Sequence, residues 1–115
     1  MSDVTILHNP RCTKSRQGLE LLQSRGLEPT VREYLKDPLD EAELRTLFDQ
    51  LGVAPIDAVR RKEAVFAELG LSADTDADAL IRAIAENPKL LERPIVICGD
   101  RAVIGRPTER ILDVL

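Results

Sequence analysis

Residues 4–16 read Val-Thr-Ile-Leu-His-Asn-Pro-Arg-Cys-Thr-Lys-Ser-Arg, and this stretch decides the fold. Val4-Thr5-Ile6-Leu7 is a short apolar, β-branched run that reads as a first, central strand. Asn9-Pro10 breaks it. From about Thr13 to Arg25 the spacing predicts a helix with Leu19 and Leu22 on one face and Gly26 as its stop. Cys12 therefore falls where a strand ends and a helix begins. A thiol there faces backbone N–H groups at the positive end of the helix, with Arg11, Lys14 and Arg16 beside it in sequence. Each effect favours the thiolate, the nucleophilic form. The bland alternative is a cysteine packed into the junction as a small apolar group, a poor use of that side chain beside three cations.

Outward from this stretch, residues 29–34 alternate enough to form a second strand, so residues 4–34 read β-α-β. That order implies a parallel pair joined by a right-handed helical crossover. Leu44, Leu47, Phe48 and Leu51 recur at helical spacing, with Asp40 as cap and Gly52 as stop. Pro55 to Leu69 reads as one or two further helices. Thr75-Asp76-Ala77-Asp78 resembles a capping box before Leu80, Ile81 and Ile84, and Asn87-Pro88 closes that helix. Residues 94–98 form a buried strand, Gly99-Asp100 a two-residue turn, and Arg101 to Ile104 the antiparallel return. Pro107 fits the first turn of a last helix ending at Leu115. The order is β-α-β, a helical insert at about 40–90, then β-β-α. This is an α/β chain with a mixed sheet in the thioredoxin-like arrangement, expected as a single domain over residues 1–115.

Composition narrows the function. Apolar residues make up 43% of 115, but with two Phe and one Tyr the core must be aliphatic. A net charge of −4 argues against general nucleic-acid affinity. No segment approaches the ~18 apolar residues of a membrane span, and no signal-peptide pattern opens the chain. Two distant cysteines suit a reducing compartment, so a cytoplasmic location is expected; the chain is also expected to be a monomer. No spacing suits a metal: the acidic residues 74–78 lack the glycine and terminal Glu of a calcium loop.

The sequence at 12–15 is C-x-x-S, so Ser15 cannot resolve an oxidised Cys12; another thiol must do so. Cys98 reads as a core residue, with a resolving role as the alternative. His8, the only histidine, is either a partner for Cys12 or a plain strand-end residue. A phosphatase loop, C-x5-R, fails because position 18 is Gly. Arg93-Pro94 and Arg106-Pro107 place two arginines before prolines. In this arrangement the residue before the third strand faces the active cysteine, across a proline that is usually cis. Arg93 then either aims its planar fork at whatever Cys12 holds or merely closes Leu90-Leu91-Glu92 in solvent.

His8–Arg16, Glu92-Arg93-Pro94-Ile95-Val96 and Ile104-Gly105-Arg106-Pro107, with Asn87-Pro88-Lys89-Leu90-Leu91 before the second, resemble the glutaredoxin-coupled arsenate reductase family over essentially the whole chain. The resemblance implies that Cys12 attacks arsenate and that Arg60, Arg93 and Arg106 surround the oxyanion, with Arg61 the neighbour that a one-residue shift would substitute. It implies that His8 and Ser15 support the thiolate; Arg11 and Lys14, by their place beside Cys12, are expected to help bind the anionic substrate. Thr13 stands where the family commonly has Ser. The resemblance implies no bound cofactor, with glutathione as the co-substrate and glutaredoxin as the partner that regenerates Cys12. Two rival functions share the fold. One is a regulator of the Spx type that binds RNA polymerase, against which the C-x-x-S counts. The other is a thiol oxidoreductase acting on another substrate, such as a protein mixed disulfide with glutathione.

Overall fold

Val4–Leu7 forms strand β1 as its composition predicts, in a computed structural model that describes residues 3–115. Helix α1 (Thr13–Ser24) follows, and Gly26, at φ +78, lets the chain leave it in the left-handed conformation. Strand β2 is shorter than expected, Thr30–Arg32. The Glu33 carbonyl accepts the N–H groups of Lys36 and Asp37, a turn that ends pairing before Tyr34. Strands β3 (Ile95–Cys98) and β4 (Arg101–Ile104) form the closing hairpin, with Gly99 at φ +62 in its turn. The sheet order is β2-β1-β3-β4. β1 runs parallel to β2 and antiparallel to β3, with Leu7 opposite Ile95 and Val4 opposite Cys98.

The chain divides into two compact units: residues up to Asp37 with Arg93–Leu115, and Pro38–Glu92. The first unit holds the sheet, and its core is aliphatic as expected. Ile6, Leu22, Val96 and Ile111 are fully buried together with Val4, Val103 and Val114. Burying each such side chain contributes about 1.5–3 kcal/mol. Pro107 lies outside the closing helix, at its cap. Thr108–Val114 is a 3-10 run rather than an α-helix, packed against β4, β3 and α1 through Ile111 and Val114.

The second unit takes in the expected helical insert. Helix α2 (Glu41–Leu51) starts on a reciprocal cap: Asp40 Oδ1 accepts the Glu43 N–H at 2.8 Å, and Glu43 Oε1 accepts the Asp40 N–H at 3.1 Å. Two expectations fail here. Residues 55–69 give a 3-10 turn (Pro55–Ala58) and a five-residue helix α3 (Ala64–Glu68), because Val59 instead bridges Leu91 and breaks the helix. Thr75 and Asp78 make no capping box: Thr75 Oγ1 accepts the Ser72 N–H, Asp78 pairs with Arg45 at 2.7 Å, and helix α4 (Ala77–Glu86) starts at Asp76 without a side-chain cap. Among the described residues no helix is long and apolar enough to cross a membrane.

Candidate active site

The loop between β1 and α1 is tied down chiefly by its own polar groups. The Cys12 N–H donates to the Asn9 carbonyl (2.9 Å), and the Arg11 N–H donates to Asn9 Oδ1 (3.1 Å). Asn9 thus acts as an Asx turn, a signal legible in its residue type but not read from the sequence. The Asn9 N–H donates in turn to Ser15 Oγ (2.9 Å). Ser15 is fully buried and also meets His8 Nδ1 at 2.7 Å. Buried polar groups are satisfied here by one another, which fixes the loop.

Cys12 sits at the start of α1, half-buried and reduced. Burial raises its pKa, but the Ser15 N–H, the charge of Arg93 and the Lys14 N–H together outweigh it, and the thiol titrates below its ordinary value. The expected helix-end effect is thus present. The charge of Arg93, which also hydrogen-bonds the sulfur, acts on Cys12, while the Arg11 and Lys14 side chains stand exposed. Arg106 NH2 lies 3.7 Å from Cys12 Sγ, at the long end for a bond to sulfur, and Arg106 Nε donates to the Arg93 carbonyl at 2.7 Å. The two arginines are therefore linked to each other as well as directed at the thiol. Both precede cis prolines, Pro94 and Pro107, of which only the first was expected.

His8 is buried at the end of β1, and burial lowers its pKa against an opposing effect of Glu33, with Arg16 lowering it further. The ring is joined to the site through Ser15. Arg60 belongs to the second unit, where its N–H donates to the Leu90 carbonyl (2.7 Å) and its guanidinium pairs with Glu63 at 3.3 Å; Arg61 is exposed. Cys98 lies opposite Val4, at the far end of β1 from the loop that carries Cys12. Three strand residues span about 10 Å, whereas bridged cysteines keep their Cα atoms within about 7 Å. A Cys12–Cys98 disulfide does not fit this fold. Among the described residues, no group of three His, Cys, Asp or Glu side chains could hold a metal ion.

A β-α-β-β sheet with one stabilised thiol at the head of its first helix, facing two arginines, defines a thioredoxin-like protein with a single cysteine at the helix start. The chain belongs to the ArsC family, whose model matches residues 7–114. It is 48% identical to an arsenate reductase of Neisseria meningitidis serogroup A, covering 100% of both chains. It is 46% identical to the uncharacterized protein YfgD of Escherichia coli K12, over 97% of this chain and 96% of that one. Among solved structures, an arsenate reductase from Vibrio cholerae superposes with a TM-score of 0.93 at 45% identity, covering 97% of each chain.

Proposed function

We propose that this chain is an arsenate reductase in which the Cys12 thiolate attacks arsenate and displaces an oxygen as water, leaving a Cys12–arsenic(V) adduct. Two thiol equivalents then supply two electrons and leave as a disulfide, arsenic(V) becomes arsenic(III), and arsenite is released as Cys12 is freed. Glutathione is the co-substrate and glutaredoxin the partner that completes the reduction; no bound cofactor takes part. Arg93 and Arg106 hold the oxyanion. A helix N-terminus and guanidinium forks offset the charge of such an anion, most strongly where the new bond forms. His8 and Ser15 keep the loop in register.

The observation that carries this reading is a lowered thiol sharing its surroundings with two guanidinium groups, Arg93 and Arg106. A nucleophile beside two guanidinium forks supports a tetrahedral oxyanion as the substrate. Relatives that are named arsenate reductases at 40–48% identity support the choice of substrate. Arsenate-dependent NADPH oxidation with glutathione, glutaredoxin and glutathione reductase tests it. Turnover is expected in the wild type and none in Cys12→Ser. A wild type that turns over no arsenate with either glutaredoxin or thioredoxin supplied would overturn the assignment.

A further inference from the structure

Arg16 lies one turn into α1, exposed, and its guanidinium folds back over the start of the helix. NH1 donates to the Pro10 carbonyl at 3.0 Å and NH2 to Thr13 Oγ1 at 3.2 Å. The backbone N–H of the same residue donates to the Cys12 carbonyl at 3.0 Å. One residue thus ties down positions 10, 12 and 13, on both sides of the thiol. The loop is tied further through Asn9, by its carbonyl, its Oδ1 and its N–H, and through the contact of Ser15 Oγ with His8 Nδ1. The Cys12 side chain makes no close cap bond of its own. The N-cap position therefore lacks the usual side-chain bond, and the fork of Arg16 folds back across this turn to Pro10 and Thr13.

We propose that Arg16 is a positioning residue for Cys12: its two-armed contact clasps Pro10 to Thr13 and so holds the Lys14 and Ser15 N–H groups aimed at the sulfur. The clasp works by geometry, since the charge of Arg16 acts on His8 whereas the cation acting on Cys12 is Arg93. A planar guanidinium spans two acceptors at a fixed separation; an ammonium is a point donor on a flexible stem. The inference rests on Cys12 being the reacting atom of the proposed reaction. Its readout is the thiol itself, so an absence of arsenate turnover would sink that reading and leave this one standing.

The test is the pH profile of Cys12 alkylation by iodoacetamide, in a Cys98→Ser background so that one thiol reports. Arg16→Met is expected to move the profile to higher pH and to slow alkylation at pH 6 by about three- to tenfold, since the rate there follows the thiolate fraction. Arg16→Lys keeps the charge and is expected to recover less than half of that loss. Thr13→Val, which removes one acceptor and no charge, gives a smaller loss in the same direction. An unchanged profile in Arg16→Met overturns the proposal, as does full recovery in Arg16→Lys, which would make charge alone sufficient.

Discussion

Replacing Gly105 with alanine should weaken the fold and disturb the thiol at once, because a single added carbon has nowhere to go. The new Cβ would lie 3.0 Å from Pro94 Cγ, 3.0 Å from Ile111 Cδ1 and 3.1 Å from Ile111 Cγ1. Comfortable carbon contacts fall at about 3.5–4.0 Å. Neither neighbour can retreat easily. Ile111 is 0% exposed within the core, and the Pro94 carbonyl holds the Gly105 N–H at 2.8 Å. Overpacking of this kind costs about 1–3 kcal/mol, against about 0.4–1 kcal/mol gained by stiffening the unfolded chain. The net loss of up to about 2.6 kcal/mol lowers the melting temperature by up to about 10 °C in a chain of this size. Calorimetry of the variant reads that shift. Ile111→Val supplies the internal control: alone it costs about 0.5–1.5 kcal/mol, yet it removes one of the three clashing atoms. The double variant should then lose less than the sum of the two singles. Because Pro94 follows Arg93 and Gly105 precedes Arg106, the alkylation profile of Cys12 should shift in Gly105→Ala as well. A Gly105→Ala protein that melts at or above the wild type refutes the packing argument.

Two further outcomes are expected. Arg93→Met should slow Cys12 alkylation at pH 6 by about three- to tenfold, and more than Arg106→Met does, because Arg106 meets the sulfur only at 3.7 Å; equal effects would contradict the assignment of Arg93 as the main charge. His8 provides a linkage test. Its folded pKa lies below the ordinary 6.5, so the unfolded chain takes up the proton first as pH falls. The stability due to neutral, buried His8 is present above pH 6.5 and is lost as pH drops from 6.5 through the folded value. Denaturant midpoints measured across that range should fall in the wild type and flatten in His8→Asn.

The β-α-β start was legible because its signals are local: a β-branched run, a proline break and a glycine stop, each acting within a few residues. The same holds for Asp40, whose cap needs only Glu43 nearby. Misreadings arose where a distant partner outbid a local pattern. Asp78 was drawn to Arg45, which left the apparent capping box at 75–78 unmade, and Val59 was drawn to Leu91, which split the helix expected over 55–69. At the site, sequence placed Cys12 at the helix start and singled out Arg93 and Arg106. The cation whose charge lowers the thiol is Arg93, distant in sequence, whereas the adjacent Arg11 and Lys14 side chains stand exposed. The tight approach of Gly105 to Pro94 and Ile111 carried no sequence signal, because it is fixed by how three separate segments meet.

The placement of Cys98 at the opposite end of β1 from the Cys12 loop has a kinetic consequence. A protein with a resolving cysteine can complete the first half of its cycle alone and hold the oxidising equivalents as an internal disulfide until a reductant arrives. This chain has no such store. Under the proposed reaction every turnover waits on a second-order encounter with an outside thiol, so the lifetime of the arsenic adduct is set by the surrounding thiol pool. When that pool is scarce the enzyme halts loaded with arsenic, and when it recovers the cycle resumes without any disulfide in the chain to reduce first.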